Sequence, residues 1–357
     1  MIAFFLKRIL NGILVMAGLV LVVFFLFSVL PADPARMMLG QRSDSLSVAV
    51  INKDLGLDRS IGTRLALYAN DLSPISVHST NPSSSFFFDR HKYSNAHTIF
   101  SIGKKTVILK TPYLRRSYQS KKDVSSIILE RLPDTAVLAL AAILFATAFG
   151  ILLGILSALK KDTLVDRFIL GISLSGISVP SFFAAIVVAW LFGFVLSKYT
   201  GMNMTGGLYE IDPFSGSYLS WKNLILPAFT LGLRPMAIIV QLTRSSMLDV
   251  LSQDYIRTAR AKGLSTKVIL FKHALQNSLN PVVTAISGWF GSLLAGAVFI
   301  EFIFGWNGIG RLTVTALDNY DMPVVMGIVL FIAVIFIVLN ILADLMNAAL
   351  DPRIRNA

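Results

Sequence analysis

This 357-residue sequence predicts an all-α membrane protein with six transmembrane helices, and three observations carry that prediction. Hydrophobic residues make up 55% of the chain and charged residues 15%, with a mean hydropathy of +0.70, which is too apolar for a soluble protein of this length. Six apolar stretches each approach the roughly 20 residues needed to cross about 30 Å of hydrocarbon. Basic residues gather in the short loops on one side of those stretches, the pattern of a cytoplasmic face.

The first span, 9–30, follows Lys7 and Arg8. Its apolar run exceeds the roughly 7–15 residues of a signal-peptide core, and Pro31-Ala32-Asp33-Pro34 is a poor cleavage context, so 1–30 is expected to be a tail and a retained first helix. Residues 31–126 form a long outer loop, since a segment of this length translocates largely regardless of its charge. Within it, 46–57 is expected to be helical, with Asp44 or Ser45 as N-cap and an end near Gly56. Lys104 to Lys110 (KKTVILK) has strand character and implies a hairpin. Between Asp71 and Asn95 the chain turns to Ser, Pro, Asn and His, broken by Phe86-Phe87-Phe88, and both a partly ordered loop and a docking surface stay open there.

A five-helix core follows over 127–350, with spans at 132–159, 168–196, 224–242, 282–304 and 324–345, and 351–357 is a short tail. The first two of these are long enough to imply tilt or extension beyond the bilayer. Six spans put both termini on one side. That side carries Lys7, Arg8, Lys160, Lys161, Arg167, the basic 244–272 loop, Arg353 and Arg355, whereas the opposite short loops carry Lys198, Lys222 and Arg311. The termini are therefore expected in the cytoplasm.

The net charge of +12 is explained by these loops without invoking nucleic acid. The absence of cysteine excludes disulfides and thiolate metal sites. His78, His91, His97 and His273 form no His-Glu-x-x-His zinc motif, no Gly-x-Ser-x-Gly elbow occurs, and Gly103-Lys104-Lys105-Thr106 lacks the upstream glycine of a phosphate loop. No catalytic residue, metal site or bound cofactor is expected in this chain.

Polar groups inside the spans need an account. Arg234, beside Pro235, sits in the fourth span, where an unpaired charge costs about 2.5–3.5 kcal/mol, so it is expected to face protein or water. Lining a translocation path and stapling helices are both open to it. Asn340, Asp344 and Asn347 share one face near the end of the last span, where packing or snorkelling accounts for them. Gly150 and Gly154, four apart, permit close helix approach.

The most informative stretch is 254–281, DYIRTARAKGLSTKVILFKHALQNSLNP. Ile256, Ala259, Gly263 and Leu264 recur at helical spacing, and Leu264, Val268, Phe271 and Leu275 extend an apolar stripe flanked by Arg257, Arg260, Lys262, Lys267 and Lys272. A mere connection between two membrane helices has no need of such a pattern. It reads as an amphipathic helix offered to a partner.

Here the chain resembles the permease subunits of binding-protein-dependent ABC importers. Ala259, Gly263, His273, Leu275, Asn277 and Pro281 are similar to the family's "EAA" loop. The dipeptide/oligopeptide/nickel subgroup is the one it most resembles, through Leu30-Pro31-Ala32-Asp33-Pro34-Ala35, Leu55-Gly56-Leu57-Asp58, Glu130-Arg131-Leu132-Pro133, Tyr255 to Gly263, Gly308-Ile309-Gly310-Arg311-Leu312 and Leu350-Asp351-Pro352-Arg353-Ile354-Arg355. Arg257 and Thr258 replace the acidic residue and first alanine of the general pattern, 77–110 looks like an insertion, and Trp306 and Asn307 stand where the family often has proline-containing turns.

The resemblance implies a type I importer fold in the bacterial inner membrane. It implies a second, different permease chain, two cytoplasmic ATPases that hold ATP and magnesium, and an external substrate-binding protein for peptide-class substrates. The ATPase-coupling loop, 250–277, would present Tyr255, Ala259, Ala261, Lys262, Gly263, Leu264 and Val268, followed by His273, Leu275, Asn277 and Pro281. Ala259 to Val268 would be the coupling helix, and Arg234 the path candidate. The alternative of another class is a non-transporting membrane receptor or scaffold that binds an outer ligand and signals inward.

Overall fold

The computed structural model describes residues 2–29, 48–49, 52, 58–82, 84–90, 92–93, 96–214 and 216–350. Two compact units divide the chain, one of 2–130 with 313–334 and one of 131–312 with 335 onward. The expected stretch 30–35, the tail 351–355 and most of the 46–57 helix lie outside the described residues, and 48, 49 and 52 are helical.

In chain order the first unit opens with α1 (Ile2–Val29) and α2 (Ile61–Leu72). Ser60 caps α2 by accepting from the Thr63 amide, and Tyr68 packs on Val23 and Phe24 of α1, its ring 5.8 Å from that of Phe24. A three-stranded antiparallel sheet follows, with β1 (Ile75–Ser79), β2 (His97–Ile102) and β3 (Lys105–Leu109) in the order β1-β3-β2. The strand and hairpin expected at 104–110 are therefore present, turning at Gly103 with φ +58°. The sheet also recruits β1, whose register sets Val77 opposite Val107. The expected insertion boundary at Val77 thus falls inside a strand.

The helical frame continues with α3 (Val124–Leu159), whose 36 residues measure about 54 Å and outrun a bilayer. Next come α4 (Leu164–Ser178) and α5 (Ser181–Trp190), the latter prolonged by a π-helical segment Leu191–Val195. A hairpin of β4 (Tyr209–Asp212) and β5 (Gly216–Leu219) precedes α6 (Lys222–Leu251). The chain then forms α7 (Asp254–Ala261), a helical run over 266–278, α8 (Asn280–Gly296), α9 (Val298–Phe304), α10 (Ile309–Asp318) and α11 (Met322–Leu350).

Among the described residues, four helices are long and apolar enough to cross a membrane, at Arg8–Phe27, Val124–Leu159, Lys222–Leu251 and Met322–Ala343. Two bent pairs, α4 with α5 and its extension and α8 with α9, bring the count to six if each is one span. The long span expected over 168–196 is built from two helices meeting at 111°. Pro180 explains the break: its ring pushes Val179 to φ −77°, ψ 129°, and it cannot donate to the preceding turn.

Within the second unit, α3 and α6 touch through glycines. A Cβ on Gly150 would lie 2.7 Å from Ile239 Cγ2, and one on Gly154 2.5 Å from Thr243 Cβ, so the spacing noted in sequence is a contact surface. A separate core is formed by Leu138, Ala142, Ala185, Val188, Leu226 and Leu293 together with Phe304 and Trp306.

Candidate functional site

The 254–281 segment is two helical pieces rather than one. α7 ends at Ala261 with Lys262 as its C-cap, and Gly263 turns the chain with φ +79°, a conformation open to glycine and strained for other residues. A Cβ there would meet nothing within 4 Å, so positive φ, rather than close packing within this chain, is what requires the glycine. The run over 266–278 contains a π-helical stretch, Ile269–Ala274, which rotates the following residues relative to an unbroken α-helix.

This rotation changes which side chains are buried. Ile256, Ala259, Ile269 and Ala274 pack with Ala158 of α3 and Met247 of α6, while Leu264, Val268 and Phe271 remain exposed. Of the stripe expected to face a partner, Leu264, Val268 and Phe271 are outward, and Leu275 instead packs against the inward cluster. Asn277 Nδ2 donates to Tyr255 Oη at 3.0 Å and joins the two pieces. Ala261 and Lys262 are exposed, His273 is half-buried, and Pro281 occupies the first turn of α8, where its missing N–H is harmless. The sequence-derived set is thus brought together in space, with Ala259 inward and most of the rest outward.

Arg234 projects from the middle of α6 into a cavity of about 440 Å³ bounded by α4, α5, α6 and α8. No carboxylate or carbonyl partners its guanidinium among the described residues. Its wall includes Ser175, Ser181, Phe183, Trp289 and Ser292. Neither the ion pair nor the carbonyl contact of the stapling alternative is formed among the described residues. Asn340 donates to the Phe336 carbonyl at 2.9 Å, while the side chains of Asp344 and Asn347 lie outside the described residues.

Two polar centres escaped the sequence reading. Arg244 was read only as part of a basic loop, yet its guanidinium donates twice to Asp166 at 2.7 Å, and Asp166 also accepts from Ser157 and from the Asp162 amide at 2.9 Å. α4 is thereby tied to α6. The second centre is Glu301, wholly buried in α9. One oxygen accepts from Thr135 Oγ1 at 2.7 Å, the other from the Gly310 and Arg311 amides at 2.7 and 3.2 Å, and Thr135 in turn accepts from the Ile309 amide at 2.8 Å. Side chains from α3 and α9 thus satisfy the free amides opening α10. Gly308 and Gly310 make room, since a Cβ on Gly308 would fall 2.4 Å from Glu301 Oε2. A solitary glutamate in VFIEFIF, followed by Gly-Ile-Gly, was the available signal.

The comparisons with known proteins bear on this arrangement. The family described as binding-protein-dependent transport system inner membrane component matches residues 150–356, and its N-terminal domain matches 1–81. The chain belongs to this family. A dipeptide transport system permease protein from Alkalihalophilus pseudofirmus is 33% identical over 369 residues, covering 99% of this chain and 100% of that one. Another from Escherichia coli is 34% identical and covers 100% of this chain and 99% of that one. A chain of the inward-facing MetNI methionine ABC transporter shares the fold, with a TM-score of 0.51 at 14% identity over 64% of this chain and 97% of that one. The protein is a permease of an ABC importer, and the receptor or scaffold alternative is not favoured.

Proposed function

We propose that this permease forms, with a second and different permease chain, the path for peptide-class substrates across the bacterial inner membrane. Two cytoplasmic ATPase subunits hold ATP and magnesium and drive the cycle, so this chain turns over no ATP itself. An external binding protein delivers substrate to the face bearing the β1-β3-β2 sheet. Both termini and the 254–281 segment are cytoplasmic, as the basic residues of 244–272 favour.

The observation that carries the coupling role is the two-sided character of 254–278. Ile256, Ala259, Ile269 and Ala274 anchor it to α3 and α6, while Leu264, Val268 and Phe271 remain available to a groove on an ATPase subunit. Anchoring is needed because a force applied at the exposed face has to reach the membrane helices. Lys262 and Lys267 surround that face with positive charge suited to acidic groups on the partner.

The test is reconstitution of the whole importer in proteoliposomes, with uptake of labelled dipeptide and binding-protein-stimulated ATPase measured together. Leu264→Asp and Phe271→Asp are expected to abolish both while this chain still inserts and pairs with the second permease. Undiminished stimulation in the double variant would overturn the coupling assignment. ATP-driven uptake of some other ligand, with dipeptide ignored, would overturn the substrate class alone.

A further inference from the structure

Arg234 lies twelve residues into α6, in a span that carries few other charges, and its guanidinium has no partner among the described residues. Arg234 is exposed on the cavity side, and an unpaired guanidinium within a membrane span seeks an anion, its planar fork matching a carboxylate through two parallel hydrogen bonds. No acidic side chain lines the cavity it enters. The Ser175 and Thr230 hydroxyls donate to the carbonyls of Gly171 at 3.0 Å and Leu226 at 2.8 Å, while Ser181 and Ser292 stand exposed on the wall. Trp289, Phe183 and Val188 supply apolar surface beside them. The cavity therefore combines one cation, spare hydroxyls and an apolar wall, on a scale within the roughly 300–1,000 Å³ of small-molecule sites.

We propose that this cavity is an anion subsite in which Arg234 takes a carboxylate of the transported molecule, the C-terminal one for a peptide. It deepens the import function proposed above and rests on it. An α-amide at that end would leave the guanidinium unpaired, so the subsite selects the free acid over the amide. An acid supplied by the second permease chain would make Arg234 a staple between subunits instead, and the experiment separates the two.

The natural sequence has no cysteine, so Ser292→Cys places one thiol of this chain on the cavity wall. In the complete reconstituted importer, its modification rates by anionic and cationic methanethiosulfonate reagents are read on this chain by mass and divided by the same ratio for glutathione. Expected is an anionic preference of at least ~10-fold, kept in Arg234→Lys and lost in Arg234→Gln. An unchanged ratio in Arg234→Gln overturns the anion site.

Uptake of a dipeptide is then compared with uptake of its C-terminal amide, using one binding protein throughout so that its own selectivity cancels. Arg234→Gln should cut the preference for the free acid about tenfold. If the reagent ratio falls but the peptide preference does not, carboxylate recognition is wrong. If the reagent ratio falls and wild type imports no peptide, the substrate class fails while the anion site stands.

Discussion

Glu301 and Arg234 are each a lone ionisable group in an apolar stretch, and the chain treats them in opposite ways. Glu301 accepts from three donors of its own chain, the Thr135 hydroxyl and the amides of Gly310 and Arg311, and Thr135 in turn accepts from the Ile309 amide. Arg234 meets an open cavity and, among the described residues, no counter-charge. A polar group whose partners are all internal holds the fold together. One left without partners in the folded chain is matched by something outside it: substrate, water or another subunit. Ranking intramembrane charges by how completely their own chain satisfies them thus separates scaffold from path, which hydropathy alone cannot do.

The sharpest way to break this contrast is to place the same apolar residue at both positions. Glu301→Leu strands the Thr135 hydroxyl and two amides at the start of α10, each unsatisfied group costing about 1–3 kcal/mol. The melting temperature and yield of the detergent-solubilised complex should both drop, with a total loss of several kcal/mol. Arg234→Leu should leave melting unchanged or raised, because an unpartnered charge within a span is removed, while dipeptide uptake falls. Equal destabilisation by the two substitutions would erase the distinction.

Asp166 tests the scaffold side again. It is nearly buried and receives both arms of Arg244 together with Ser157 and an amide. Arg244→Ala leaves that carboxylate buried without its cation, and a loss of about 3 kcal/mol follows. The double variant Asp166→Asn with Arg244→Ala should recover part of it. Additive losses in the thermal shift would show that the pair does not couple α4 to α6.

Much of this was legible in sequence, but unevenly. The spans, the glycine contact between α3 and α6 and the strand at 104–110 follow from hydropathy, spacing and β-branched content, which act locally. The 111° bend was half-visible: Pro180 marks it, but an uninterrupted apolar run hides it. What stayed hidden depends on three-dimensional meeting. Thr135 and Glu301 are 166 residues apart, and no periodicity links them. The anchored face of 254–278, through Ile269 and Ala274, was not picked out because Gly263 and the π-helical stretch at 269–274 shift the helical phase, and spacing arguments presume one unbroken helix. The hairpin of β4 and β5 was missed because its strands have only four residues each.

Gly263 gives a smaller effect and concerns geometry rather than charge. With φ at +79° and open space around the missing Cβ, Gly263→Ala should cost about 1–2 kcal/mol of local strain without a clash inside this chain. Insertion and pairing with the second permease should survive, whereas stimulated ATPase activity falls if the turn sets the angle between α7 and the following run. Gly263→Asn, which tolerates left-handed backbone better, should recover part of the activity. Wild-type coupling in Gly263→Ala would mean that the turn angle is immaterial.

Lys110 is the intermediate case between Glu301 and Arg234, and it yields the smallest effect. Its side chain is buried in the β-sheet unit, donates to the Asp71 carbonyl and lies 4.9 Å over the Tyr93 ring, with Lys92 nearby on the Asp71 carboxylate. Burial pushes its pKa from 10.5 down to about 8, against the pull of Asp71 and with the help of Lys92. Below pH 8 both folded and unfolded chains carry the proton, and the full penalty of burying the cation applies. Between pH 8 and 10.5 the folded form is neutral while the unfolded chain still binds the proton, so stability of this unit rises with pH over that window. Tyr93, raised by burial and by Asp71, works the other way above pH 10 by ionising first in the unfolded chain, which leaves pH 8 to 10 as the usable range. Limited proteolysis within 84–110 should slow as pH climbs from 7.5 to 9.5, after correction for the protease's own pH profile. Lys110→Met should already be slow at pH 7.5 and flat thereafter. A wild-type profile without slope would mean that the ammonium is as well satisfied in the fold as in water, which would set Lys110 beside Glu301 rather than between the two extremes.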